Sequence, residues 1–221
     1  TGYITYVGRQ GLYFQYRHNA PLSRRIDPGT TNIIDIYLVT QSYYIAYQNY
    51  VTDSTGTVPE PAKPTIDELT TSYSTLDQYK MISDNIILNS ATFKPLFGTK
   101  AAVELRATLK CVKNPSSTAS VSEIKSQVVS SMNTYFTIDN WDFGDTFFFS
   151  ELSAYLHDQL GSIISTVVLV PVDPLKSFGD LYEIRSQANE IFVNSATVND
   201  VEVIDALTSS QLRTASNSGV V

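Results

Sequence analysis

Apolar residues in this chain change their spacing repeatedly, from every second position to every third or fourth. That switching points to strands and helices mixed along one chain. Leu12, Phe14 and Tyr16 alternate with Tyr13, Gln15 and Arg17, the period of a strand. Asn32 to Val39 is rich in Ile and Val and reads as a buried strand. Gln41 to Val51 then carries aromatic residues at 43, 44, 47 and 50, which share one helical face. A Pro-, Gly- and Thr-rich connection, Thr52 to Lys63, leads to Thr65-Ile-Asp-Glu68, a capping box in which hydroxyl and carboxylate satisfy free amides. Behind it Ile66, Leu69, Tyr73 and Leu76 predict a helix to about Tyr79.

Asn85 to Phe93 alternates as a strand. So does Ala101 to Val112, where Val103, Leu105, Ala107, Leu109 and Cys111 share a face and the other side is expected to be solvated. A second capping box, Ser120-Val-Ser-Glu123, opens a helix with Val121, Ile124, Val128, Met132 and Tyr135 on one stripe. Asp139 to Asp145 is a polar turn around Trp141. Ser150 is placed to cap a short helix carrying Leu152, Tyr155, Leu156 and Leu160, with Gly161 placed to end it. Ile163 to Val172 is a strong strand stopped by Pro171 and Pro174, and two short strands follow near Glu190 to Asn194 and Val201 to Ile204.

The expected fold class is therefore α+β, with two small strand-helix-helix-strand modules and additional β segments at both ends. The boundaries follow: residues 1–31 a β segment and loop, 32–97 the first module, 98–176 the second, and 177–221 a terminal β segment and a loose Ser-, Thr- and Asn-rich tail from Thr208. The chain opens at Thr1 without an initiator Met or a basic-then-apolar leader, and is expected to be a fragment or a processed product that lacks an N-terminal region. No apolar run approaches the roughly 20 residues of a membrane-spanning helix, so no membrane insertion is expected.

At 221 residues the chain is long enough for a substantial core, but only 17% of it is charged. Ser and Thr, about a fifth of the residues, supply the polar surface instead. Few charges on such a chain suggest that part of its surface is covered by another protein. A net charge of −7 excludes a general nucleic-acid binder, which needs excess Lys and Arg to displace counterions. The single cysteine, Cys111, sits inside an alternating strand pattern and reads as a small buried hydrophobe.

Catalytic chemistry needs titratable groups in one place, and few are on offer. His18 lies among Arg9, Arg17 and Asn19 as a solvated loop residue, and His157 falls on the polar side of its helix. There is no Gly-x-Ser-x-Gly elbow, no phosphate-cradling glycine motif and no metal-ligand spacing. Asp139, Asp142 and Asp145 fail as a calcium loop, because positions 3 and 5 counted from Asp139 are Trp141 and Phe143. No cofactor and no catalytic residue is expected.

Two surface features remain. Arg9, Arg17, Arg24 and Arg25 give the first thirty residues a net +3 against −10 for the other 191, an asymmetry that suits head-to-tail steering between copies or a solvated loop equally. Nine of the 14 tyrosines lie in the first fifty residues. Tyr43, Tyr47 and Tyr50 are either core or contact residues, Tyr and Arg being enriched at interface hot spots. The candidate interface residues are Arg24, Arg25, Tyr43, Tyr47, Tyr50, Leu69 and Tyr73.

The order of these segments resembles a known family. Asp27-Pro-Gly-Thr-Thr-Asn-Ile-Ile-Asp-Ile-Tyr-Leu-Val is similar to the strand that opens the middle module of baseplate J-type proteins of contractile-tailed phages. A helix, a variable loop and a helix leading into a strand follow there, here reaching Leu76 to Leu88. The alternating strand Ala101 to Val112, the long helix Val121 to Tyr135, the Gly144-Asp-Thr segment and Ile163 to Val170 continue the order. The later segments, including Leu181 to Phe192, resemble the C-terminal part of the baseplate wedge subunits of T-even phages.

The resemblance covers about residues 25 to 205; its single motifs are hydrophobic patterns, and their order carries it. It implies a non-enzymatic structural protein of the virion, located in the tail baseplate and in the host cytoplasm during assembly. Its implied partners are a second copy of itself, as a homodimer within the inner baseplate ring, and other baseplate wedge proteins. It carries over no catalytic residues.

The alternative is a carbohydrate- or receptor-binding module of a surface or tail protein, since tyrosine-rich strands can stack on sugar rings. A hydrolase using Asp139 or Asp142 would require a buried carboxylate pair in a cleft.

Overall fold

The computed structural model describes residues 3–5, 13–15, 33–75, 85–173 and 183–204. The chain is α+β, with helices and several small sheets interleaved. Backbone contacts divide it into two units, one of Thr1–Tyr47 with Glu60–Ala91 and one of Gln48–Pro59 with Thr92–Val221.

In the first unit β1 (Tyr3–Thr5) and β2 (Tyr13–Gln15) pair antiparallel. β3 (Ile33–Leu38) leads to α1 (Gln41–Thr52), whose residues past Tyr47 belong to the second unit, then to α2 (Ile66–Ser72) and β4 (Asn85–Ser90), which pairs parallel with β3 from Ile33↔Asn85 to Leu38↔Ser90. The Thr40 hydroxyl starts α1 by accepting from the Tyr43 amide at 3.3 Å. The expected box at α2 forms in full. Thr65 Oγ1 accepts from the Glu68 amide at 3.3 Å, and Glu68 Oε2 accepts from the Thr65 amide at 2.8 Å. The helix is shorter than the apolar spacing predicts and ends at Ser72, with only Leu69 buried. Residues 76–79, the last part of that expectation, lie outside the described residues.

The strand expected over 85–93 is two strands. β4 ends at Ser90, the Ala91 amide donates to Leu38 O at 2.9 Å, and the Thr92 amide donates to Asn189 O at 2.9 Å. β5 (Thr92–Leu96) thereby changes partner and pairs parallel with β10 (Glu190–Asn194). Residues 92–97, assigned by pattern to the first module, consequently fall in the second unit.

That unit is built around β6 (Ala107–Lys113), the centre of a three-stranded sheet. α3 (Val121–Tyr135), β7 (Thr146–Phe148), α4 (Phe149–Leu160), β8 (Ile164–Pro171), β9 (Glu183–Arg185), β10 and β11 (Val201–Ile204) follow. β11 pairs parallel with β6, β8 antiparallel, and β7 pairs antiparallel with β9. The strand expected from Ala101 begins only at Ala107. Val103–Leu105 is a 3₁₀ turn, because the Leu105 amide bonds locally to Ala102 O at 2.8 Å. Helix α4 starts directly from β7 with no side-chain cap, so Ser150 lies in its first turn and not at its head. Gly161 does end α4, in right-handed geometry; a Cβ there would stand 2.7 Å from His157 O.

Alternate residues of β6 and β8 turn inward: Leu109 opposes Leu169 and Cys111 opposes Val167. They meet Ile124, Val128 and Met132 of α3 and Leu152, Leu156 and Leu160 of α4 in one cluster. The core extends into aromatic packing. The Phe97 ring sits 6.0 Å from Phe136 and 5.7 Å from Phe147, edge-on to each, and Trp141 stacks on Phe136 at 5.4 Å. This packing holds Phe97 at φ +76°, a left-handed backbone that costs a bulky residue about 1–3 kcal/mol. Next to it Gly98 passes so close to Ser195 that an added Cβ would lie 1.8 Å from the Ser195 carbonyl oxygen. The junction is locked by Gly98 N–H to Ser195 Oγ (3.1 Å) and Ser195 Oγ to Leu96 O (2.9 Å).

Candidate interaction surfaces

The tyrosine stripe of α1 turns inward. Tyr43 and Tyr47 are 5% and 4% exposed, with their rings edge-on at 6.0 Å. Burial, and then the negative charge of Glu60, raises the Tyr43 phenol above its ordinary range. Leu69 is buried as well. Three of the residues proposed for an interface are thus core residues, a correction with a simple cause. An amphipathic stripe locates a helix's apolar face without saying whether a partner or the chain itself covers it.

Tyr73 is half-buried, and its phenol donates to Val39 O at 2.9 Å, tying the end of α2 to the end of β3. Tyr50 is half-buried under the Lys100 ammonium, 4.3 Å from the ring centroid. Arg24 and Arg25 lie outside the described residues. Among the described members of the seven, Tyr43 and Tyr47 meet ring to ring.

Titratable groups among the described residues are spread as structural pairs. Lys94 Nζ reaches Glu190 Oε2 at 3.1 Å and Arg185 O at 2.9 Å, joining β5 to the strand it pairs with. Lys110 and Glu202 pair at 3.1 Å across β6 and β11. The Asp142 amide donates to Asp145 Oδ2 at 2.7 Å, so Asp145 caps its own turn. The Asp53 carboxylate accepts from the Thr55 amide (2.8 Å) and the Val58 amide (2.7 Å). A bond from the Thr55 hydroxyl (2.5 Å) foremost, and then these amide bonds, hold it well below the usual carboxylate range. Cys111 is wholly buried, and burial alone pushes its thiol up to about 12, as expected of a packing residue. Among the described residues no group of three or more His, Cys, Asp or Glu is placed to hold a metal ion, and no helix is long and apolar enough to cross a membrane.

The surface that sequence reasoning missed lies on the three-stranded sheet. α3 packs against β11 and α4 packs against β8, all through the inner face. The outer face carries Thr166, Val168 and Val170 of β8 beside Thr108 and Lys110 of β6, and Val168 is 50% exposed. β8 is an edge strand: among the described residues only β6 pairs with it. Its sequence, Ile164-Ser-Thr-Val-Val-Leu-Val-Pro171, holds no charged residue. That lack of charge was readable in the sequence; that the strand lies at an edge was not.

Comparison with known proteins found no family pattern that matches the chain and no curated protein that matches its sequence.

Proposed function

We propose that this chain is a structural, non-enzymatic virion protein, a baseplate wedge component of a contractile phage tail. In this role it associates with itself and with other wedge proteins to build the inner baseplate ring, and the ring's subunits repack when the tail contracts. The observation that carries the reading is the order of segments over about residues 25 to 205, which resembles that of baseplate J-type proteins and the T-even wedge subunits. The α+β build of the described residues is compatible with that reading. An uncharged sheet edge and a low charged fraction suit a protein whose work is done by its interfaces.

Immunogold electron microscopy of particles of the virus that encodes the chain tests this directly. Gold confined to the baseplate end of the tail is the expected result. Gold on the capsid or along the sheath, or none on intact and disrupted particles, would sink the reading.

Among the described side chains, the aromatic geometry gives the sugar-binding alternative no support. Tyr43 and Tyr47 are buried, and one face of Trp141 is stacked on Phe136 with the ring planes 14° apart.

A further inference from the structure

We infer that the outer edge of β8 is a self-pairing edge, taken by the β8 strand of a second copy running antiparallel about a two-fold axis at Val168. The inference rests on the proposed self-association and names the surface that performs it.

The hydrogen-bond pattern shows which peptide groups are available. The β6–β8 register runs Ala107↔Pro171, Thr108↔Val170, Leu109↔Leu169 and Lys110↔Val168, and the Val172 amide donates to Arg106 O at 3.0 Å. In an antiparallel ladder the bonded residues alternate. Val172, Val170, Val168 and Thr166 therefore turn their peptide groups toward β6, whereas Pro171, Leu169 and Val167 turn theirs to the open side. Pro171 fits an outward position because it has no N–H to give. Toward the start of the strand the register breaks between Val112 and Lys113, which leaves Ser165 as the extra residue of a bulge. The regular open edge is thus short, with Val167 and Leu169 as its two outward donors.

Such an edge is complementary to itself. With a two-fold axis at Val168, Val167 of each copy faces Leu169 of the other, and each pair exchanges two N–H···O bonds. The Val168 residues then form a non-bonded pair, with Cα atoms about 4.5 Å apart. Their exposed side chains cover one another on the outer face, beside Lys110 in each copy. The bulge and Pro171 close the two ends of this window, so a one-sided slip loses bonds. Charge selects the same place. Two copies of a chain at −7 repel each other, and β8 offers them a strand with no charge. An uncharged edge rich in β-branched residues is also what natural sheets protect when it has no partner.

The test is light-scattering mass over a hundredfold concentration range at moderate salt, on the full chain and on Val168→Lys and Val168→Glu. These side chains point to solvent in the single chain, and a circular dichroism spectrum checks that each variant folds. The wild type should approach twice the monomer mass with rising concentration, while amide exchange at Val167 and Leu169 slows. Each variant alone should associate about tenfold more weakly or worse, since like charges then stand opposite each other. An equimolar mixture of the two should recover the dimer, which a general loss of stability could not produce. Val103→Lys, equally exposed but on the 3₁₀ turn, should change nothing. A dimer indifferent to both Val168 variants would overturn the edge and leave self-association standing elsewhere. A wild-type monomer throughout would overturn the edge too, while baseplate labelling would still decide the virion reading.

Discussion

Two stretches of this chain each run from a strand through two helices to a second strand, the later one with β7 between its helices, yet they pair their outer strands in opposite senses. β3 and β4 lie parallel, β6 and β8 antiparallel. In the second stretch α3 packs on α4, and α4 runs into β8 through a three-residue turn closed by the Ile163 amide on Leu160 O at 2.8 Å. A strand entered so directly from a helix lying on its own sheet runs back beside the strand the chain left. In the first stretch the helices are separated by a Pro-rich connection between Thr52 and Thr65, long enough to carry the chain back for a parallel return. Element order alone does not fix topology; the length and stiffness of the connections do.

The stretches also differ in what stabilises their helices. α3 and α4 each bury three apolar residues, whereas α2 buries only Leu69. α2 has the complete capping box. At α3 the Ser120 hydroxyl accepts from the Glu123 amide at 3.2 Å, while the Glu123 carboxylate turns along the helix to accept from Gln127 at 3.4 Å. The helix with the smaller apolar face relies more on its end.

The sharpest way to break the second unit is at its tightest backbone passage. Gly98→Ala would force a methyl group to within 1.8 Å of Ser195 O, and backbone on both sides leaves nowhere for it to go. A loss of at least about 3 kcal/mol in denaturant unfolding is expected, or a failure to fold. A loss below 1 kcal/mol would show that the β5–β10 junction gives way easily.

A smaller effect separates the two kinds of helix. Leu156→Ala in α4 should cost about 3–4 kcal/mol, within the range for large-to-small changes in a tight core. Leu69→Ala should sit nearer 2 kcal/mol, at the low end of that range, because α2 buries no other residue of its own. Cys111 reports on the second core independently. Wholly buried, with its thiol pushed up to about 12, it should resist alkylation at pH 8 in the parent chain and label many times faster in Leu156→Ala. Equal labelling of the two would mean that Leu156 is not part of the same cooperative core.

Periodicity and capping chemistry are local, and they placed α1, α3, β10 and β11 to within a residue or two. What stayed hidden was partnership. The alternation of residues 85–93 continues unbroken through Ala91 because alternation records faces, while the hydrogen bonds change sheet there. Val103 and Leu105 continue the period of β6, but their backbone closes a turn with Ala102 and Arg106 instead. The tyrosine stripe of α1 was legible as a stripe, and only the fold shows that it faces inward while Ile45, on the opposite side, stands 51% exposed. The β8 edge is hidden in the same way, since no residue of a strand states whether one neighbour or two will bind it.

The smallest prediction tests whether capping compensates for a thin core. Thr65→Ala removes the hydroxyl acceptor at α2 and Ser120→Ala the one at α3, each worth about 1 kcal/mol in isolation. With only Leu69 to anchor it, α2 should lose measurable helix content, seen as Cα shifts over residues 66–72 moving toward coil values. α3, with Ile124, Val128 and Met132 buried, should keep its shifts and lose only global stability. The box at α2 adds a pH signature. The Thr65 amide first, and then its hydroxyl, hold the Glu68 carboxyl below its usual range. A carboxyl depressed in the folded state stabilises that state above its unfolded value of about 4.3, and the support disappears as pH falls through the lower folded value. Helix shifts over 66–72 should therefore decay in acid in the parent chain, and Glu68→Gln should remove that dependence. Shifts that stay flat down to about pH 3 in the parent, or an equal loss of helix in α2 and α3 on cap removal, would mean that α2 is held by something other than its end.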